Sequence, residues 1–308
     1  MEEKKISEIA GIIIGTAIFA LVILFMIFAA FPIQAKLGMT GVVITEICFL
    51  AIAAVSALVF KQNPKEVFKL KLPTLWEIFG TLALCAATYI AGITSVMGIA
   101  AFFPTAAAQT SGGMQSVISS VPFFVGLLVI GILPAICEEA LHRGVILHFY
   151  GKSIKNEWIV IIVMGILFGI FHLDPIRFLP TAIFGGAVTY VAFKTKSILP
   201  CIIFHMLNNF PGVFFSNMMD VSREMTEIPL PNMQNVFFVA FGCMLAASVV
   251  VPWLVLASSA MLNVNKKEET ALTVKIAACA ASSVLLFAGG VAVLILGTMK
   301  IVGEYGLM

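Results

Sequence analysis

Charged residues are scarce in this chain: they make up 11% of the 308 residues, against about 25% in a typical soluble domain. Hydrophobic residues make up 61%, and the mean hydropathy is +1.09. This composition excludes an ordinary soluble domain and predicts a polytopic membrane protein. The net charge is only +2, and the sequence has no basic cluster and no zinc-finger spacing, so we expect no nucleic acid partner.

Several catalytic and structural motifs are also missing. The six cysteines all lie in apolar segments without a C-x-x-C pair, which is typical of small buried side chains and not of a disulfide framework or a thiolate metal site. The sequence contains no H-E-x-x-H, no G-x-S-x-G and no pair of membrane aspartates. It therefore lacks the common signatures of zinc, serine and aspartic proteases.

Long apolar segments fill most of the chain. Each has roughly 17 residues or more, enough to cross a bilayer, so we predict an all-α, polytopic bundle of about eight to nine transmembrane helices. The first follows MEEKKISEIAG and is longer than the core of a signal peptide, so we expect it to be retained. The nine segments are 9–31, 41–60, 75–103, 120–148, 157–173, 176–193, 198–217, 236–262 and 271–298.

The distribution of lysine and arginine predicts the orientation. With the N-terminus in the cytoplasm, fourteen basic residues fall on the cytoplasmic side and four on the other. This positive-inside bias predicts a multi-pass plasma-membrane protein with a cytoplasmic N-terminus. Residues 104–119 and 211–235 are interpreted as long linkers on the outer side, either of which could gate a cavity. Two helix starts are marked, by the capping box Thr74–Glu77 and by Asp174 before Pro175.

Polar residues interrupt the fourth segment in the stretch PAICEEALHRGVILHFY, residues 134–150. Glu139 and Arg143 are four apart, which places them on one helix face in the favourable order for an ion pair. Glu138 is rotated about 100° from Glu139 and is left free for another role. Pro134 cannot donate to the carbonyl of Ile130, which predicts a bend just before the acids. Two membrane acids beside an arginine indicate a functional site.

Two histidines extend this constellation. His172 follows Phe168 by one helical turn, and His205 precedes Asn209 by one turn. The rise of a helix places Glu138 and His172 at similar heights, about 20 and about 24 Å from the turn between their helices. A carboxylate and a histidine on one water can activate it, while a histidine and an amide one turn apart offer two donors to an oxyanion. This set suits the hydrolysis of an amide.

Alternatives remain open from the residues alone. Glu138, His172 and His205 could instead form a catalytic zinc site, although a metal-free site is our first choice. The same polar cluster could also serve a proton-coupled transporter or a non-catalytic scaffold. Outside the cluster, Glu46 is predicted to face water or cap its helix, and His142 and His148 are predicted to lie at the surface.

The motifs Glu138-Glu139-x-x-x-Arg143, Phe168-x-x-x-His172 and His205-x-x-x-Asn209 occur in that order. In this pattern the chain resembles the intramembrane CAAX protease and bacteriocin-processing (CPBP) family, which includes the Rce1-type prenyl-protein endopeptidases and the Abi proteins. The resemblance covers residues 120–215, four of the predicted spans. It implies a four-helix catalytic core between N-terminal helices in 1–119 and C-terminal helices in 216–308.

By resemblance, each motif residue acquires an expected role. Glu138 and His172 would activate water, and His205 with Asn209 would form the oxyanion hole. Glu139 and Arg143 would support the site. The implied partners are the lipid bilayer and a hydrophobic or lipidated peptide, such as a prenylated CAAX-type substrate. The Abi branch adds bacteriocin self-immunity as an alternative function.

Overall fold

The structure, a computed structural model, describes residues 2–223, 233–264 and 272–304. Across these ranges the chain is all-α, with short connections and no strand. Three π-helical stretches, Met26–Ala30, Leu127–Ile132 and Ala140–Ile146, lie within longer helices. The α-helices are α1 Glu2–Phe25, α2 Phe31–Leu37, α3 Met39–Val59, α4 Pro64–Val67, α5 Leu75–Phe102, α6 Pro104–Ser119, α7 Phe123–Gly126, α8 Leu133–Glu139, α9 Leu147–Ser153, α10 Glu157–Phe171, α11 Pro175–Thr195, α12 Leu199–Arg223, α13 Met233–Leu262 and α14 Leu272–Glu304.

Eight helical segments of the described chain are long and apolar enough to cross a membrane, which confirms the predicted polytopic bundle. The predicted span at 157–173 is shorter than expected, because α10 has 15 residues. At 1.5 Å per residue it is about 22 Å long, less than the roughly 30 Å thickness of a hydrocarbon core. The eight segments are Ile9–Leu37, Met39–Val59, Leu75–Phe102, Phe123–Ser153, Pro175–Thr195, Leu199–Ser216, Val236–Leu262 and Thr273–Lys300.

The segment Phe123–Ser153, which we call the motif helix, lies at the centre of the bundle. Half of its most apolar window is buried within the chain, against 33% or less for the other seven segments. Leu141 and Ile146 are fully buried in a core shared with Val22 of α1, Ala53 of α3 and Val160 of α10. A π-helical stretch ends just before Pro134, where the sequence predicted an irregularity. The acids of the first motif are therefore held by helices on several sides.

The interpretation of residues 104–119 as a linker is wrong. They form α6, with Pro104 at its first turn, where the missing N–H of proline costs no helical bond. Thr110 of α6 donates a hydrogen bond to Asp174 at 3.0 Å, so this helix is tied to the turn after α10. The second predicted linker is shorter than 211–235, since α12 continues to Arg223 and α13 begins at Met233. Residues 224–232 lie outside the described residues.

The predicted helix starts are present. Thr74 and Glu77 form a reciprocal capping box, and Asp174 accepts from the backbone N–H groups of Ile176 and Arg177. The turn before Pro175 makes α10 and α11 a tight pair. A Cβ on Gly165 of α10 would lie 2.8 Å from the Ala182 carbonyl of α11, so small residues allow this close approach.

Candidate active site

Glu139 is the fixed member of the acid pair. It is fully buried, and its Oε1 accepts from Nη1 of Arg143 at 2.9 Å, which confirms the predicted ion pair. The same oxygen bonds Nδ1 of His205 at 2.9 Å. Arg143 also donates to the Gly185 carbonyl at 2.9 Å. One carboxylate therefore joins the motif helix to α12, and through Arg143 to α11.

Glu138 is placed quite differently. It is 8% exposed, and its carboxyl group forms no hydrogen bond or ion pair with the described residues. Charges on Glu46 and Glu139 repel an anion at this position, whereas those on Arg177 and Arg143 attract one. The rotation predicted from helix geometry thus separates the two acids into one bonded and one unbonded carboxylate.

His172 caps the end of α10 and is half-buried. Its Nδ1 lies 2.9 Å from the carbonyl oxygen of Phe168. A carbonyl can only accept, so the ring proton is on Nδ1 and the lone pair of the neutral ring is on Nε2. His172 can therefore accept a proton or a hydrogen bond at Nε2. No hydrogen bond joins it to Glu138 in the described chain, so the two can act together only through a third molecule such as water.

His205 is 4% exposed and is oriented by Glu139. With Arg143 on the same oxygen, Glu139 is a carboxylate, and Nδ1 of His205 is then the donor. The neutral ring has a lone pair at Nε2. The doubly protonated ring has an N–H there, and it then shares the Glu139 carboxylate with Arg143. Only this imidazolium form can donate to an oxyanion.

Asn209 lies one turn after His205 and is half-buried. Its Nδ2 donates to the carbonyl of Ile130 at 3.1 Å. This is the carbonyl that Pro134 cannot bond, because proline has no N–H. The amide has a second N–H, so Asn209 can anchor α12 to the motif helix and still offer one donor.

Phe168, the first residue of the second motif, lies among the charged and polar groups. Its ring centroid is 5.0 Å from that of His172 and 5.9 Å from that of His205. The guanidinium of Arg143 lies 4.7 Å above the same ring. Phe168 therefore brings residues of all three motifs into contact with one side chain, which is itself 1% exposed.

The predictions that Glu46 and His142 lie at the surface are wrong. Glu46 does not face water: it is 5% exposed, and its Oε2 has no hydrogen-bond partner in the described chain. His142 is fully buried, bonds the Glu138 carbonyl at 2.9 Å, and packs edge-on against Phe168. The spacing of four between Glu138 and His142 was a usable signal, since such residues share a helix face. His148 is half-buried and bonds Gln62.

Arg177 was also missed as a neighbour of the site. Its charge acts on both Glu138 and His172. It lies in the first turn of α11, and its own N–H is bonded by Asp174. Arg177 is one of the four basic residues that the predicted orientation places on the outer side. Because the connection between α10 and α11 is short, the first turn of α11 lies close to His172 at the end of α10.

The alternative of a zinc site requires three ligands around one ion. No group of three histidine, cysteine, aspartate or glutamate residues is placed to hold a metal ion in the part of the chain that the structure describes. His172 and His205 each use Nδ1 and leave Nε2 open. The zinc alternative thus has no preformed set of ligands among the described residues.

Residues 120–211 match the family model described as type II CAAX prenyl endopeptidase Rce1-like. The chain carries an Rce1-like domain. The matched range contains all three motifs, from Glu138 to Asn209. No curated protein and no solved structure matches the chain. At family level the Rce1-like domain supports an intramembrane endopeptidase of the CAAX type, in a chain that is an integral membrane protein.

Proposed function

We propose that this protein hydrolyses a peptide bond in a hydrophobic or lipidated peptide of the CAAX type, using Glu138 as the base. The supporting observation is the contrast between two adjacent buried acids. Glu139 is bonded to Arg143 and His205, whereas the carboxyl group of Glu138 has no partner among the described residues. A buried carboxylate without a partner is costly for the fold, and catalysis gives it a use.

The proposed reaction begins with a water held by Glu138 and by Nε2 of His172. Glu138 accepts a proton from the water as its oxygen bonds to the scissile carbonyl carbon. The carbonyl oxygen becomes an oxyanion. The proton then passes from Glu138 to the leaving nitrogen as the carbon–nitrogen bond breaks, which returns Glu138 to its starting form. Neither metal nor cofactor is needed for this balance.

The oxyanion would be stabilised by His205 and Asn209. Asn209 would use the N–H that is not bonded to Ile130. His205 would act as an imidazolium, donating from Nε2 while Nδ1–H stays on Glu139. In this proposal Glu139 and Arg143 are supporting residues, because they set the orientation and charge of His205. Loss of one oxyanion donor typically lowers kcat by about 10²- to 10³-fold.

We also propose a plasma-membrane location, and the basic residues support an orientation with the N-terminus in the cytoplasm. Lys65, Lys69, Lys152 and Lys196 all lie beside the ends of membrane segments. They lie near the end of the motif helix at Ser153 and in the connections that precede α5 and α12. By the positive-inside rule this face of the bundle is cytoplasmic.

The test is cleavage of a peptide library, prenylated and plain, by the purified protein in detergent. The variants are Glu138→Gln and, as a matched control, Glu157→Gln, which changes an exposed acid at the start of α10. We expect the wild type and the control to cleave, with or without a chelator, and Glu138→Gln to be inactive. Loss of wild-type activity in chelator would replace the metal-free mechanism with a metal-dependent one. A folded wild type that cleaves no peptide would refute the peptidase function and favour transport, a scaffold or self-immunity.

A further inference from the structure

A cavity lies at the lysine-rich end of the bundle, away from the candidate active site. It has a volume of about 420 Å³ and is enclosed by the last turns of the motif helix, the end of α11 and the segment 60–74. A cavity of this size lies within the roughly 300–1,000 Å³ range of small-molecule sites. None of the proposed catalytic residues lines it. Its lining includes Arg143, which also bonds Glu139.

The charges around this cavity do not cancel. The acids in its lining are already paired: Glu66 with Lys152 at 3.8 Å and Glu157 with Lys194 at 3.1 Å. Lys69 and Lys196 also line it, and neither forms an ion pair with a described residue. The charge of Arg143 is balanced by Glu139, so the two unpaired lysines leave a surplus of positive charge facing the cavity. Such a surplus favours an anion.

The wall formed by segment 60–74 is fixed in place. Ser197 donates to the carbonyl of Lys71 at 2.6 Å, and the N–H of Ile198 donates to the carbonyl of Lys69 at 2.8 Å. Phe68 packs so closely on Gly144 that a Cβ there would lie 2.9 Å from its ring. The cavity is therefore formed before any ligand binds, which lowers the entropic cost of binding.

The position of the cavity relative to the membrane indicates which class of anion it binds. Lys196 directly follows α11, and Lys69 precedes α5, so both lie where apolar helices end. Lipid headgroups occupy this level, and basic pockets between helices bind anionic headgroups. We propose that the cavity binds the phosphate of an anionic phospholipid headgroup. This site is separate from the peptidase reaction and does not depend on it.

The test uses the full chain in neutral detergent. Thermal unfolding is followed while short-chain phosphatidylglycerol, phosphatidylcholine or inorganic phosphate is added. The test variant is Lys69→Gln/Lys196→Gln. The matched control is Lys61→Gln/Lys65→Gln. It also removes two positive charges, but from residues of segment 60–74 that do not line the cavity. Each pair also includes one lysine with positive φ, Lys196 or Lys61, so their backbone effects are comparable.

We expect saturable stabilisation of the wild type and the control by phosphatidylglycerol, with little effect of phosphatidylcholine. The test variant should bind phosphatidylglycerol about 30-fold more weakly, because each lysine near a charged headgroup contributes about 1 kcal/mol. If the double variant does not fold, the single variants should each show about a fivefold loss of affinity. Stabilisation by inorganic phosphate that the test variant loses would support the phosphate site while assigning its occupant to solution.

Two results would overturn the proposal. Equal stabilisation by phosphatidylcholine and phosphatidylglycerol would show that the cavity does not recognise an anionic headgroup, because both lipids carry a phosphate and only phosphatidylglycerol has a net negative charge. An equal loss of affinity in the control pair would show that the general charge of this face attracts the lipid, and that the cavity is not the site.

Discussion

The same substitution at two neighbouring positions should have very different effects on stability. Glu139→Gln removes a carboxylate that bonds Arg143 and His205, both at 2.9 Å, and leaves the arginine as a buried cation without its counter-charge. Breaking a buried pair in this way costs about 3–5 kcal/mol. Glu138→Gln removes a carboxyl that has no bonding partner in the described chain. No interaction is lost there, because the substitution replaces a buried carboxyl group without a partner by an amide of the same size.

The assay is thermal unfolding of the purified variants, run beside peptide cleavage. Glu138→Gln should unfold at or above the wild-type temperature and be inactive, whereas Glu139→Gln should unfold at a clearly lower temperature. A double variant, Glu139→Gln/Arg143→Met, should recover part of the loss, because it removes both charges of the pair. Equal destabilisation by the two single substitutions would refute the reasoning, since it would mean that Glu138 has a structural partner.

Three further substitutions, one of them with a matched control, test other contacts. Asn209→Ala should lower kcat by about 10²- to 10³-fold with little change in KM. It should also lower the free energy of unfolding by about 1 kcal/mol, because the bond to the motif helix is lost. A change in KM alone, measured by steady-state kinetics, would contradict the oxyanion role. Gly144→Ala should destabilise by about 1–3 kcal/mol in thermal unfolding because its Cβ would meet Phe68, whereas Gly151→Ala, with open space around it, should be neutral or stabilising; equal effects would sink the packing argument. Phe168→Ala should cost about 3–5 kcal/mol, measured in the same way, and a stable variant would show that this ring does not support the site.

Helix periodicity was enough to predict the local part of the site. The spacing of four gave the pair Glu139–Arg143, and the rotation between adjacent residues gave the freedom of Glu138. Both follow from backbone geometry that every α-helix shares. The capping residues Thr74 and Asp174 were equally readable, because a cap bonds the backbone within three residues of itself.

Periodicity could not show what each helix faces. Glu46 and His142 were assigned to water from their distance to predicted segment ends, yet both are buried. Their environment is set by neighbours from other parts of the chain. The bond between Glu139 and His205 joins residues 66 positions apart, and no local pattern encodes it. The helix at 104–119 was missed for a different reason: small and polar residues predict a linker, although its alanines also favour a helix.

Pro134 links the local and the long-range parts of the site. By lacking an N–H it leaves the Ile130 carbonyl without its usual α-helical donor, and Asn209 of α12 supplies one from 79 positions away. A proline that seems only to disturb the motif helix thus creates the acceptor that holds α12 in register. Because α12 also carries His205, the same bond fixes the height at which His205 meets Glu139. The third motif is therefore held at both ends of one helical turn. The Glu139 carboxylate bonds His205 at one end, and the Ile130 carbonyl bonds Asn209 at the other.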